Sequence, residues 1–187
     1  FERDGYLLNT IFNLSEKSEL GLLVNHIDYS AQIASSINEE DFNDDPTQAA
    51  FTWKASQGYE DNNYSLIGLS HTYYASSNLK NTTSLFYTYL DHYEPAPFNI
   101  IDEYTNGYGL RTLFSGNLDI LKNSIFYTFG GELYKDEYNW QTFENLYEQN
   151  DGNGSLEGDK LSQNKEFRHQ FNGFATASYS FTSQLTA

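Results

Sequence analysis

Five oxygen-bearing side chains alternate along one acidic stretch of the chain: Asp151, Asn153, Ser155, Glu157 and Asp159. This spacing resembles the opening of a calcium-binding loop, in which oxygen ligands surround a hard cation. The sixth position, where such a loop needs glycine, is Leu156, and the closing bidentate glutamate is missing from its place. The stretch therefore predicts a flexible connection without a bound metal.

Histidine spacing and cysteine content argue against other catalytic chemistry. The four histidines are scattered, with no pair at the HxH or HxxxH spacing of a metal site: His26, His71, His92 and His169. The chain has no cysteine, so it carries no disulfide, thiolate ligand or cysteine nucleophile. No nucleophile elbow, phosphate loop or paired catalytic carboxylates can be placed. We predict that the protein is not an enzyme and uses no cofactor.

Binding chemistry is better represented, by aromatic residues in segments expected to be exposed loops: Trp53, Tyr59, Phe98, Tyr138, Trp140 and Phe143. Flat amphipathic rings offer contact area and lose little entropy on binding, so these residues are candidate ligand contacts. The alternative is that they form a membrane girdle or pack loops together. Trp140, Phe143, Leu146 and Tyr147 also fall at helical spacing, which predicts a short loop helix.

The segment from Arg168 to Thr182 indicates which architecture would position these rings. Its odd positions are apolar or small: Phe171, Gly173, Ala175, Ala177, Tyr179 and Phe181. Its even positions are mostly polar, and a period of two is typical of a strand with one apolar and one polar face. About 9 to 11 tilted residues cross a bilayer as β-structure, so this segment is long enough to span a membrane.

Similar segments recur along the chain and predict seven strands: Gly5 to Leu14, Leu20 to Ile33, Tyr64 to Tyr74, Thr82 to Tyr93, Tyr104 to Phe114, Ser124 to Lys135 and Arg168 to Phe181. We therefore predict an all-β fold, a transmembrane antiparallel β-barrel of which this chain is a piece. The chain stops at Ala187, just after a turn that should open another strand, and lipid leaves no room for an unpaired edge.

The connections between these segments alternate in length. Four are short and rich in Ser, Asn and Lys: Ser15 to Glu19, Ala75 to Asn81, Ser115 to Asn123 and Thr182 to Leu185. Three are longer and polar: Ala34 to Asn63, Glu94 to Glu103 and Asp136 to Phe167. Outer-membrane barrels have short periplasmic turns and long extracellular loops, so we expect the long connections to lie outside the cell.

The strand pattern also predicts which side chains face lipid. Three apolar sets are assigned there: Leu23, Ile27, Tyr29, Ala31 and Ile33; Tyr108, Leu110 and Phe114; Ile125, Tyr127, Phe129 and Leu133. Tyr64 to Tyr74 and Thr82 to Tyr93 alternate poorly, with His71 and Phe86 on awkward faces, which leaves their facing open.

Charged residues on the opposite faces are expected in a watery lumen, namely Arg111, His26 and Glu132. Such groups most often pair with neighbours or with a plug, and we favour that role over ligand binding. Arg111 is the best ligand candidate of the three, because a guanidinium can clasp an anion with two hydrogen bonds.

Composition is compatible with this class. Aromatic residues make up 17% of the chain, and the net charge of −16 lies mainly in the long connections. This charge disfavours nucleic acid, whose phosphates would be repelled. The simpler interpretation of the carboxylates is a solvated outer surface. The alternative is that they bind divalent cations that bridge surface lipopolysaccharide.

Several stretches resemble the barrel of TonB-dependent outer-membrane receptors of the iron-siderophore type, particularly those of Bacteroidota. They include Asp45-Pro46-Thr47-Gln48-Ala49-Ala50-Phe51-Thr52-Trp53-Lys54, Gly58-Tyr59-Glu60, Leu66-Ile67-Gly68-Leu69-Ser70, Pro97-Phe98-Asn99, Gly107-Tyr108-Gly109-Leu110-Arg111 and Tyr138-Asn139-Trp140-Gln141. The resemblance extends over the whole chain, although its motifs are diffuse.

The resemblance implies a 22-stranded barrel plugged by an N-terminal domain, of which residues 1–187 would supply about a third of the wall. The expected function is TonB-energised uptake of a ferric siderophore or similar iron complex. The expected partners are that ligand, outer-membrane lipid and lipopolysaccharide, the receptor's own plug and TonB. The plug and the TonB-contacting segment are absent from residues 1–187. A passive porin-like or adhesive barrel and a secreted soluble β-domain remain the alternatives.

Overall fold

The computed structural model describes residues 1–120, 123–182 and 185–186. The strands in chain order are β1 (Glu2–Ser15), β2 (Ser18–Gln32), β3 (Tyr59–Ser76), β4 (Leu79–Ala96), β5 (Asn99–Ile120), β6 (Asn123–Asn145), β7 (Glu157–Thr182) and β8 (Leu185–Thr186). They form one antiparallel sheet in which each strand pairs with the next along the chain. The predicted all-β fold with about seven antiparallel strands is confirmed, and β8 adds two residues.

Only short helices interrupt this sheet, namely α1 (Glu39–Asp44), α2 (Phe51–Ser56) and a 3-10 helix over Tyr147–Gln149. Asn38 caps α1, since its side-chain oxygen accepts a hydrogen bond of 2.8 Å from the backbone N–H of Asp41. In the part of the chain that the structure describes, no helix has the length and hydrophobicity of a membrane span.

Two of the predicted long connections are wrong, because the strands continue through them. The predicted loop Glu94 to Glu103 is a turn of Pro97 and Phe98 between β4 and β5. The predicted loop Asp136 to Phe167 is mostly paired strand, and only residues 146–156 connect β6 to β7. The predicted loop helix is also wrong, since Trp140 and Phe143 lie in β6. Backbone pairing persists here although the one-sided apolar pattern has ended.

The predicted short connections are tight turns at residues 16–17 and 77–78. The predicted turn from Ser115 to Asn123 is mostly strand, since β5 runs to Ile120 and β6 begins at Asn123. Residues 121 and 122 of that connection, and residues 183 and 184 of the predicted turn from Thr182 to Leu185, lie outside the described residues.

The strand register sorts the side chains onto two faces, because directly paired residues point to the same side of a sheet. One face, here called the apolar face, carries a band of large hydrophobic residues across all seven long strands: Leu8, Phe12, Leu22, Val24, Ile67, Leu69, Leu85, Leu110, Phe114, Leu118, Ile125, Phe129, Leu133 and Phe171. Many of these side chains are about half exposed within the chain, among them Leu85, Leu133 and Phe129. Hydrocarbon would cover such a band.

The opposite face, here called the polar face, contains Ser84, Arg111, Glu132 and Asn172 in one register row. The predicted lipid-facing sets in β5, β6 and β7 all lie on the apolar face. Phe86 of β4 lies on the polar face, where its ring covers Gly109, and His71 of β3 lies on the apolar face.

The predicted facing of β2 is wrong. Leu23 pairs with Gly68, and Gly68 pairs with Phe86, so Leu23, Ile27 and Tyr29 lie on the polar face. The lipid-facing residues of β2 are Leu20, Leu22 and Val24. Both faces of β2 are apolar between Leu20 and Val24, so only its upper half showed alternation. That half extends beyond the apolar band, where both faces are wet and the pattern no longer reports lipid.

Gly130 lets β5 and β6 approach at the centre of the sheet. A Cβ atom at Gly130 would lie 2.2 Å from the backbone oxygen of Thr112, and no side-chain rotation can relieve that contact. We expect Gly130→Ala to destabilise the folded protein by about 1–3 kcal/mol through overpacking. The measurement is the urea midpoint of the intact protein in phospholipid vesicles. Gly173→Ala is the matched control, because nothing lies within 4 Å of its added methyl group. Equal midpoints for both variants would contradict the prediction.

Candidate functional site

Three connections meet at one end of the sheet and form what we call the loop cluster, residues 33–58, 97–98 and 146–156. A small core holds them to the ends of β4, β5 and β6. Its members are buried: Ser56, Pro95, Ala96, Ile100 and Phe143. The hydroxyl of Ser155 donates a hydrogen bond of 2.8 Å to the backbone oxygen of Ser56, and the side-chain amide of Gln57 donates one of 3.2 Å to the backbone oxygen of Gly152. The two longer connections therefore pack against each other.

Asn145, the last residue of β6, links two parts of the loop cluster. Its side-chain N–H groups donate to the backbone oxygen of Ala96 at 2.8 Å and to the hydroxyl of Ser155 at 2.9 Å. Its side-chain oxygen accepts from the backbone N–H of Leu156 at 3.1 Å. Nothing in the sequence distinguishes Asn145 from the other asparagines, so this role was not predicted.

Replacing Asn145 with alanine removes three hydrogen bonds at once. We expect Asn145→Ala to loosen residues 146–156 and to raise their local opening equilibrium by about 1–3 kcal/mol, since unpaired acceptors are left in a partly buried site. Amide hydrogen exchange of the intact protein measures this opening. Asn164→Ala is the control, because that exposed side chain bonds only its near neighbours Glu166 and Lys165. Unchanged exchange in 146–156 would contradict the assignment.

Trp53 and Phe98, two predicted ligand contacts, come together in the loop cluster. Trp53 lies in α2, and its ring packs where a Cβ atom of Gly58 would otherwise lie. Phe98 occupies the tip of the β4–β5 turn, with 73% of its side chain exposed and its ring centroid 6.2 Å from that of Trp53. The pair presents one supported ring and one free ring to solvent.

Tyr59 and Phe143 lie near the same end but are less available. The ring of Tyr59 lies 6.1 Å from that of Tyr93, and burial raises the pKa of both phenols, so both stay neutral at neutral pH. Phe143 is 9% exposed, and the ammonium of Lys160 lies 5.4 Å from its ring centroid. Little of the Phe143 ring is left for a ligand to touch.

Tyr138 belongs to a polar-face cluster lower on β6. Its hydroxyl donates to the carboxylate of Glu103, and the guanidinium of Arg168 lies 4.6 Å from its ring centroid. Burial and the bond to Glu103 raise the pKa of Tyr138 to about 12. Arg168 in turn donates two hydrogen bonds to buried Asp136, at 2.8 and 2.9 Å. The cluster holds its charges in fixed positions, which suits a surface that contacts a polar ligand or a docked domain.

Trp140 lines a polar cleft of about 450 Å³ near the outer end of β5, β6 and β7. The other lining residues are Asp102, Tyr104, Asn139, Gln141, Gln163, Asn164 and Lys165. Most of these belong to the apolar-face series of the register, above the hydrophobic band. This cleft was not predicted, because its residues were taken for an irregular loop.

Arg111 and Glu132 lie opposite each other in β5 and β6 on the polar face. Glu132 accepts a 3.5 Å hydrogen bond from Asn172, while the Arg111 guanidinium lies 5.2 Å from the Phe174 ring centroid. His26 is not a lumen residue as predicted, since it shares the apolar-face series with Tyr6 and Ser65. Arg111 pairs eight residues along β5 from Glu103, about 26 Å at 3.3 Å per residue, so it cannot share one small site with Trp140.

The stretch that resembles a calcium loop forms a turn instead. Asp151, Gly152 and Gly154 have positive φ, and the side chain of Asn150 donates to the backbone oxygen of Gly154 at 3.0 Å. Among residues 1–120, 123–182 and 185–186, no three His, Asp or Glu side chains group as metal ligands would. The stretch is tied to Ser56 through Ser155, so it is more ordered than predicted.

Long antiparallel strands in sequence order, an apolar face and a polar face together define a section of a transmembrane β-barrel wall. Two solved structures share this arrangement. The ferripyoverdine receptor of the outer membrane of Pseudomonas aeruginosa, bound to ferripyoverdine, matches 96% of this chain with a TM-score of 0.72 and 13% identity. The ferric citrate transporter FecA, in its unliganded form, matches 95% with a TM-score of 0.66 and 14% identity.

These likenesses confirm the predicted resemblance at the level of the fold, that of outer-membrane receptor barrels. The chain spans 28% and 26% of the lengths of the two receptors, about a quarter of each. No protein-family model matches the sequence, and no curated protein matches it significantly.

Proposed function

We propose that this chain is part of the wall of an outer-membrane receptor that takes up a ferric siderophore or a similar iron complex with energy from TonB. The observation that carries the proposal is the match of nearly the whole sheet, strand by strand, to two receptors whose names state ferric ligands. Both are transport proteins, which agrees with a non-enzymatic role.

The polar face supports a lumen through which a ligand could pass. Along β5 to β7 it carries successive rows of charged, aromatic and amide groups, beginning at Arg111, Glu132 and Asn172 and ending at Glu103, Trp140 and Asn164. These rows run continuously from the middle of the sheet to its outer end. In a closed barrel they would line the inside, because the apolar face must meet lipid.

The loop cluster supports a site where the ligand is first captured. We propose that it lies outside the cell and that the turns at 16–17 and 77–78 lie in the periplasm. Trp53 and Phe98 would contact the ligand there, with Tyr59, Tyr138, Trp140 and Phe143 as further candidates. Arg111 would act deeper, on an anionic ligand or on a plug carboxylate.

The remaining parts of such a receptor would come from the rest of the protein. We propose that residues 1–187 belong to one barrel domain and that the plug and the TonB-contacting segment lie elsewhere. Strand closure requires this, since in lipid each edge must pair with a further strand. A passive porin-like or adhesive barrel would need no plug, and a soluble β-domain would not keep its broad apolar face bare.

The proposal is tested by deleting the gene and growing the strain on single iron sources, including several ferric siderophores, ferric citrate and haem. We expect growth to fail on one ferric chelate and to return with the wild-type gene. Binding of that chelate by the purified intact protein is the second measurement. Normal growth of the deletion strain on every iron source, without chelate binding by the protein, would refute the proposal.

A further inference from the structure

A groove on the apolar face has the shape and lining of a lipid-binding site. It has a volume of about 480 Å³ and lies across β4 to β7, between Leu85, Leu110, Leu133 and Phe171. These side chains are largely exposed, and their rows belong to the hydrophobic band. An acyl chain fits such a lining, because every wall residue below the rim is apolar.

Cationic and donor groups stand at the rim of this groove. Tyr108, Lys135 and His169 occupy one register row, directly beyond the row of Leu110, Leu133 and Phe171. Tyrosine at this level marks the interface of a membrane barrel, where headgroups lie. From Leu118 to Tyr108 the band extends ten residues, about 33 Å of strand, which a tilt near 40° reduces to about 25 Å, the height of a barrel's hydrophobic belt.

Lys135 is available to bind an anion. No described residue forms an ion pair or hydrogen bond with its ammonium group. The acidic residue beyond it on the same face, Glu137, is already held by Lys165 at 2.6 Å. In a chain of net charge −16 this uncompensated row is a local exception that favours a phosphate at the rim.

The polar cleft of Trp140 lies above the same rim, four residues or about 13 Å along β5 from Tyr108 to Tyr104. Its side chains combine a carboxylate, amides and aromatic rings, the groups that bond sugar hydroxyls and stack on sugar rings. Gln141 donates to Asp102 at 2.6 Å and accepts from Lys160 at 2.8 Å, so the amide is held in place.

We propose that the groove, the Lys135–His169 rim and the polar cleft together bind one phosphorylated glycolipid of the outer leaflet. Its acyl chains lie in the groove, its phosphate meets Lys135 and His169, and its sugars enter the cleft. The inference rests on the proposed function only for the membrane and for the outward direction of the loop cluster. A glycerophospholipid would leave the cleft empty, so we commit to the glycolipid.

Native mass spectrometry of the intact protein in detergent tests this site with three lipids: diphosphoryl lipid A, monophosphoryl lipid A and phosphatidylglycerol. We expect retention to fall in that order. The double variant Lys135→Gln with His169→Gln should retain diphosphoryl lipid A at least tenfold less. Gln141→Ala should weaken both forms of lipid A and leave phosphatidylglycerol unchanged. Lys17→Gln, at the opposite end of the sheet, is the matched control for charge and should change nothing.

Two outcomes would overturn the inference. One is equal retention of diphosphoryl lipid A by wild type and double variant, both shown to be folded by their gel mobility before heating. The other is a preference for phosphatidylglycerol. Iron-dependent growth of the same variants separates this result from the proposed function. Normal growth with no lipid effect refutes only the lipid site, whereas lipid retention by a protein that supports no iron uptake refutes only the transport role.

Discussion

Ala175→Arg is expected to cost about 2–4 kcal/mol of folding free energy in a bilayer, the cost of a cation at the middle of a lipid-facing barrel surface. Ala175 of β7 pairs with Phe129, midway along the apolar band between Ile125 and Leu133. The native side chain is small and exposed, so the substitution removes almost no packing. The measurement is urea-induced unfolding of the intact protein in phospholipid vesicles.

The neighbouring residue supplies a control of opposite facing. Thr176 pairs with Thr128 on the polar face, and its side chain is also exposed. We expect Thr176→Arg to change the folding free energy by less than about 1 kcal/mol, because a charge in a watery lumen stays hydrated. Equal effects at the two positions would mean that the apolar face does not meet hydrocarbon, and the transporter proposal would fail with it.

Facing could be predicted from the sequence where only one face of a strand is apolar within the membrane. In β7, Phe171, Ala175 and Ala177 alternate with amides and hydroxyls, so the prediction was right. In β2 the run Leu20 to Val24 is apolar on both faces, and the alternation that guided the prediction belongs to residues above the band. The register with Ile67 and Leu69 resolves the facing, and register is a property of pairing between distant segments.

Strand ends were less predictable than strand centres, for a related reason. From Asp136 to Asn145 both faces of β6 meet water, so polar residues appear on both sides and the segment looks like a loop. Its pairing with β5 and β7 nonetheless continues. The candidate site depends on this extension, because Tyr138 and Trp140 are placed by strands and not by loops. The polar cleft and the role of Asn145 depend on three segments meeting, which no single segment reveals.

Phe98→Ala is expected to raise the dissociation constant of the ferric chelate identified by the growth panel about 30-fold, or about 2 kcal/mol, as for a binding hot spot. The Phe98 ring is largely exposed at the tip of a two-residue turn and lies edge-on to Trp53, which is supported by Gly58. A ring held on a rigid turn loses little entropy when a ligand packs on it. Tryptophan quenching or calorimetry with the intact protein measures the change.

Phe51→Ala separates ligand contact from a general loss of exposed hydrophobic surface. Phe51 begins α2 in the same loop cluster and is 86% exposed, but no other ring lies against it within the described chain. We expect its removal to alter affinity by less than about threefold, the range of energetically near-neutral contacts. If both variants weaken binding equally, the cluster contributes only nonspecific apolar surface. If neither does, capture occurs elsewhere, and the polar-face column from Arg111 to Trp140 becomes the place where ligand contact must be sought.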